Sequence, residues 1–254
     1  MERVSEKIGQ ILEDEQAVQA ENEKKDVTFE IALKPNYTYI EMDGSMLFTR
    51  EEKWKEVDRH ATKLGSVFQV PIEEALKDTP PKIGHSDYVA YLGSADVFLP
   101  RLQRIIPKVE PPIFIADGAP WIWRWVTEKY PGAVQVLDYF AAASHAMEYA
   151  HDFAKVAFKE KVEYDNWIGG VENYLLTDRV SNRVEALTRH MDWLAERVVP
   201  ESLPMLTRLK EYYLKNLHRM YYGTLRKNGV LIGSGAIESA HRNWNCNLIW
   251  YTFT

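Results

Sequence analysis

A single cysteine, Cys246, stands in 254 residues, so no intrachain disulfide is possible and a reducing cytoplasm suits the chain. No Cys/His framework surrounds Cys246, which reads as an incidental thiol. No apolar run approaches the roughly 20 residues of a membrane span. The opening Met1-Glu-Arg-Val-Ser-Glu-Lys is too charged for a secretory signal. These absences predict a cytoplasmic protein with no membrane partner. Basic charge is scarce too: a net charge of −6 excludes a surface that tracks a phosphate backbone along its whole length. Any grip on nucleic acid must be local or supplied by another module. His145 and His151, six residues apart, lack metal-ligand spacing and read as helix surface or satisfied core. There is no internal repeat and no low-complexity tract. What remains is a chain of ordinary globular composition, long enough for one sizeable domain or a core with an insertion.

Against that background, three short segments stand out: Glu41-Met-Asp-Gly, Ile115-Ala-Asp-Gly and Gly233-Ser-Gly-Ala-Ile-Glu-Ser. Each carries one acid, Asp43, Asp117 or Glu238, where an apolar element meets glycine. Tyr37 to Met42 reads as a strand ending at Asp43, and Ile113 to Ala116 as a strand ending at Asp117. Glu238 instead falls in the first turn of a helix opened by the glycines and Ser234. Two strand-end carboxylates and one helix-borne carboxylate are the donors needed to hold two hard divalent cations about 4 Å apart for in-line phosphoryl transfer. Each acid also has an ordinary reading. Asp-Gly after a strand is a strong hairpin-turn signal. Asp117 also suits a strand-to-helix connection, and Glu238 faces the positive end of a helix dipole.

The remaining pattern sets an order of elements. Residues 2–30 hold nine Asp/Glu against four Lys/Arg, and Val4, Ile8, Ile11 and Leu12 recur at helical spacing, so 1–30 reads as a helical segment with a solvated acidic face. Residues 37–70 read as two or three strands, with Ser45 to Thr49 a separate strand after the Asp-Gly turn and Lys63 to Val70 continuing the sheet. Tyr88 to Ile106 reads as mainly helical, with Pro100 beginning a turn or breaking the helix. Residues 113–137 form the clearest unit: a strand to Asp117, a helix from Pro120 or Trp121 to Tyr130, and the strand Ala133 to Leu137. Such a unit implies parallel pairing with a right-handed crossover. From Ala141 to about Arg226 no convincing strand is visible, and the run Leu187, Met191, Leu194, Val198 marks one of several amphipathic helices. Trp121, Trp123 and Trp125 either cover core area or, near a nucleic-acid site, stack on unpaired bases. His241, three residues after Glu238, falls on the same helix face.

Asp43, Asp117 and Glu238, with a helical block between the last two, resemble the DDE transposases of bacterial insertion sequences. The strings that carry the resemblance are Glu41-Met-Asp-Gly-Ser-Met, Glu51-Glu-Lys-Trp-Lys-Glu-Val, Tyr88-Val-Ala-Tyr-Leu-Gly-Ser-Ala, Ile115-Ala-Asp-Gly-Ala-Pro-Trp-Ile-Trp, Gln135-Val-Leu-Asp-Tyr-Phe and Leu231-Ile-Gly-Ser-Gly-Ala-Ile-Glu-Ser-Ala-His-Arg. The resemblance implies an α/β fold: an RNase H-like mixed sheet flanked by helices, with an all-α insertion before the last catalytic helix. The implied boundaries are 1–30 for the leading helical segment, 31–140 for the first part of the core, 141–230 for the insertion and 231–254 for the C-terminal helix. It also implies two Mg²⁺ or Mn²⁺ ions, with Asp43 touching both, Asp117 holding one and Glu238 completing the other's shell. Asp138, His241 and Arg242 would line the rim. The partners would be DNA, as element ends and target, and a second copy or a full-length transposase, in a bacterial cytoplasm at the nucleoid.

Three departures from that pattern predict a truncated copy with little or no cleavage of its own. A helix-turn-helix region expected upstream is missing, the segment after Asn243 turns into Trp-Asn-Cys-Asn-Leu-Ile-Trp-Tyr-Thr-Phe-Thr, and Ala141 stands where many relatives have histidine. The expectation from a different class is a non-catalytic remnant that binds a full-length transposase. A third is a glycosidase with an Asp pair roughly 5–10 Å apart, which leaves Glu238 without a role.

Overall fold

The computed structural model describes residues 35–50, 57–77, 79, 81–108, 111–144, 147–148, 160–178 and 203–235. The leading segment 1–30, the run from Leu187 to Val198, His145, His151, Glu238, His241, Arg242 and Cys246 lie outside the described residues. The chain divides into two compact units, Leu33–Ala141 with the chain from Leu225 onward, and Ala142–Thr224 with the N-terminal segment.

The first unit is built on the aromatic and β-branched residues that favour a pleated, half-buried surface. Its elements run β1 (Asn36–Arg50), β2 (Val57–Pro71), α1 (Ile72–Ala75), β3 (Ser86–Leu92), α2 (Ala95–Ile105), β4 (Ile113–Ala116), α3 (Pro120–Lys129) and β5 (Val134–Leu137). The five strands form one mixed sheet in the order β3-β2-β1-β4-β5, the RNase H-like topology. β1 to β3 pair antiparallel, and β1, β4 and β5 pair parallel.

Successive side chains of a strand point to opposite faces, and the two faces here differ in kind. Ile40, Met42 and Gly44 share the face that packs on α2 and α3. There Phe114 meets Trp125 and Tyr130 edge-on or tilted at 6.0 and 5.0 Å, and Phe98 meets Trp121 at 6.1 Å. A Cβ on Gly65, which pairs with Met42, would lie 2.8 Å from Leu102 Cδ1, so the close approach of α2 depends on that glycine. All four residues of β4 are buried, as expected for a central strand covered on both sides. The opposite face carries Tyr39, Glu41 and Asp43. Tyr39 stacks on Phe68 at 5.5 Å, and its hydroxyl donates to Gly229 O (3.5 Å) and accepts from Leu231 N (3.2 Å). Burial pushes that hydroxyl's pKa well above the ordinary tyrosine value.

Three local expectations are corrected. β1 does not end at Asp43, because Asp43 pairs with Leu64 and Gly44 with Lys63 inside one continuous strand. The Asp-Gly pair therefore makes no hairpin turn. The segment from Tyr88 is a strand as far as Leu92, since its alternate residues pair with Ser66, Leu64 and Thr62 of β2. Helix begins only at Ala95. Pro100 sits inside that helix without ending it. The carbonyl its missing N–H leaves unbonded belongs to Asp96, in the exposed first turn where water can serve it.

The second unit is helical in its described residues, with α4 (Lys161–Leu176), α5 (Leu203–Asn216) and a 3₁₀ turn at Leu217–Arg219. Asp178, with φ +61°, accepts from Gly223 N, Thr224 N and Thr224 Oγ1 at 2.7, 2.6 and 2.7 Å. It thereby caps the start of α6 (Tyr222–Lys227). Among the described residues no helix is long and apolar enough to cross a membrane.

Candidate active site

The parallel register of β1 and β4 ends one residue before two of the acids. Tyr39, Ile40, Glu41 and Met42 of β1 lie opposite Ile113, Phe114, Ile115 and Ala116 of β4, and Asp43 and Asp117 are the next residue on each. β4 and β5 pair as far as Ala116 and Leu137, and Asp138 N donates to Ala116 O at 2.8 Å, extending that ladder by one residue. Asp43, Asp117 and Asp138 are thus the residues that come next after the paired positions of three neighbouring parallel strands. Adjacent strands of a sheet lie about 4.8 Å apart. Catalytic and ligand-binding groups of open α/β sheets gather at the carboxyl end of the strands, where Asp117 and Asp138 follow β4 and β5, whereas Asp43 lies within β1.

Each acid is held differently. Asp43, partly exposed, accepts from its neighbour Gly44 N through Oδ1 at 2.6 Å. Asp117, also partly exposed, accepts from Ala119 N through Oδ1 at 3.0 Å, the Asx-turn geometry of a strand-to-helix connection. Its carbonyl accepts from Trp123 Nε1 at 2.8 Å, which fixes the backbone of the turn against α3. Asp138 is buried and accepts from Phe140 N (2.7 Å), Ala141 N (3.0 Å), Ser234 N (2.7 Å) and Ser234 Oγ.

The three tryptophans divide. Trp123 and Trp125 are buried in the core, whereas Trp121 is partly exposed with Lys63 Nζ 5.4 Å from its ring.

Two features were not anticipated from the sequence. Glu41 is buried on the same face as Asp43, one pleat further into the sheet, between Ser66 and Ile115. The period-2 relation of Glu41 to Asp43 was its only signal. Ser234, which reads as a helix-opening residue, is a buried partner of Asp138; nothing local marks a contact across 96 positions.

Carboxylate oxygens are the hard donors that Mg²⁺ and Mn²⁺ take, so Asp43 and Asp117 fit the implied ions in kind. The backbone amides on their Oδ1 atoms would serve as outer-shell bonds that orient a ligand. Among the described residues no group of three or more His, Cys, Asp or Glu is placed to hold a metal ion. The third implied ligand, Glu238, lies outside those residues. No protein-family model matches the chain, and no curated protein matches it significantly.

Proposed function

We propose that this chain is a transposase-type catalytic core for cutting and joining DNA strands by metal-dependent phosphoryl transfer, its cleavage in isolation weak because Ala141 stands where many relatives have histidine. The observation that supports the reading is an RNase H-like sheet in which β1 and β4 pair in parallel up to Met42 and Ala116, the residues just before Asp43 and Asp117. In this reading Asp43 and Asp117 hold two Mg²⁺ or Mn²⁺ ions together with Glu238. The ions supply an activated water or 3′-hydroxyl and stabilise the leaving oxygen. The protein's own contribution is to hold the carboxylates in place. Asp117 gains rigidity from the Asx turn and the Trp123 bond, and Asp43 from a strand paired on both sides.

The test is a nicking assay on supercoiled plasmid with Mn²⁺, followed by strand transfer of a 3′-hydroxyl oligonucleotide. Nicking should vanish with chelator and in each of Asp43→Asn, Asp117→Asn and Glu238→Gln, while all three variants keep the wild-type circular dichroism. Nicking that survives chelation, or survives loss of either aspartate, overturns the proposal.

One observation favours a second reading, a non-cutting chain that binds a full-length transposase: both acids are also satisfied by bonds within their own turn or strand. That reading gives partner binding with no Mn²⁺ uptake.

A further inference from the structure

We propose that Asp138 is a positioning residue, a buried clamp that fixes the Gly233-Ser234 turn and so sets where the segment carrying Glu238 begins; the proposal rests on the reading of Glu238 as a metal ligand. Asp138 is 2% exposed and Ser234 8% exposed. A carboxylate buried this deeply must be matched by donors or a cation. Among the described residues four donors reach it, divided between its oxygens by task. Oδ1 takes the amides of Phe140 (2.7 Å) and Ala141 (3.0 Å), capping the helical turn that follows β5. Oδ2 takes both the amide (2.7 Å) and the hydroxyl of Ser234.

The rest of the turn is pinned by independent contacts. Tyr139 N donates to Ile232 O at 2.8 Å, and Leu231 N donates to the Tyr39 hydroxyl at 3.2 Å. A Cβ at Gly233 would lie 2.5 Å from the ring of the exposed Phe140, which would have to turn aside to admit it. Residues 231–234 are therefore fastened to β1 and to the end of β5, the outer two of the three parallel strands. Ser234 precedes Glu238 by four residues in the sequence. A clamp at Ser234 thus sets the starting point of the segment that must carry Glu238 to the Asp43 and Asp117 end of the sheet.

The register also places Asp138 beside Asp117, which raises the alternative that Asp138 is itself a ligand. The donors argue against it. A cation at Oδ2 would have to displace the Ser234 amide and hydroxyl together, and one at Oδ1 would uncap the helical turn.

The division between the two oxygens makes the clamp testable. Asp138→Asn keeps an oxygen to cap Phe140 and Ala141 and replaces the other with an NH₂ group that cannot accept from Ser234. In the metal-free full chain, hydrogen exchange at the Ser234 amide should quicken at least about tenfold in D138N, with the Phe140 and Ala141 amides unchanged. Mn²⁺ affinity should weaken about 10–100-fold, the usual effect of removing an outer-shell contact. Ser234→Ala removes only the hydroxyl and carries the test if D138N does not fold; it should weaken Mn²⁺ binding several-fold, and Ser234→Thr should restore it. Unchanged exchange at Ser234 in D138N, or wild-type Mn²⁺ affinity once that protection is lost, overturns the clamp. A wild-type chain that takes up no Mn²⁺ overturns the two-metal reading instead, and the clamp then stands or falls on the exchange result alone.

Discussion

Gly65→Ala tests whether the close approach of α2 to the sheet is what holds β1 in place beneath Asp43. The added Cβ would sit 2.8 and 3.0 Å from the two Leu102 methyl carbons and 3.1 Å from Phe98 Cζ. Both side chains are fully buried, so they cannot swing into solvent to make room. Overpacking of this kind costs about 1–3 kcal/mol. Alanine limits the unfolded chain more than glycine does and returns about 0.4–1 kcal/mol, leaving roughly 1–2 kcal/mol of destabilisation. At about 2–4 °C per kcal/mol for a chain of this size, the melting temperature should fall by roughly 2–8 °C. The specific check is a double-mutant cycle with Leu102→Val, which trims the atoms in conflict. The double variant should be more stable than the sum of the singles by about 1 kcal/mol, as for residues in contact. Additivity within about 0.3 kcal/mol, or a Gly65→Ala protein as stable as wild type, would refute the packing argument.

Tyr39→Phe removes the acceptor for Leu231 N and should cost about 1–3 kcal/mol in urea unfolding, because the amide is left without its partner; a loss below about 0.5 kcal/mol contradicts that bond. Millimolar Mn²⁺ should raise the wild-type melting temperature and leave an Asp43→Ala/Asp117→Ala protein unmoved, since a ligand bound only by the folded state stabilises it; equal shifts mean the acids are not the site. Burial, and next the Arg219 charge, lower the pKa of His218, so the folded chain resists protonating it. Stability should therefore fall as pH drops below the unfolded value of about 6.5 and level off below the lowered folded value. His218→Gln should flatten that part of the pH–stability curve, and a wild-type slope in the variant would assign the dependence elsewhere.

Asp117 was legible as a strand-end acid because it closes an apolar run, and the strand–helix–strand unit around it because its periodicity changes cleanly from two to helical, whereas Asp43 lies inside β1. The mixed sheet and its flanking helices were also legible, through the resemblance carried by those strings. The Tyr88 segment was misread since a short apolar run does not distinguish a strand from a buried helix; only the pairing with Ser66 and Leu64, about 25 residues away, decides it. Asp43-Gly44 was open to a turn reading because the dipeptide's local preference says nothing of a partner strand long enough to override it. The bonds from Tyr39 to Leu231 and from Asp138 to Ser234 span 192 and 96 positions, and contacts at such separations leave no local periodicity to read.

The separation between Asp138 and Ser234 also has a consequence during synthesis. At about 5–20 residues per second, Asp138 leaves the ribosome roughly 5–20 s before Ser234, which follows it by 96 residues. The neighbouring antiparallel pairs β1–β2 and β2–β3 can form early, from chain already at hand. Throughout the delay the Asp138 carboxylate must be hydrated or borrow another donor. The nascent sheet therefore waits with its acidic edge open while the intervening helices are translated, and residues 231–234 close that edge last.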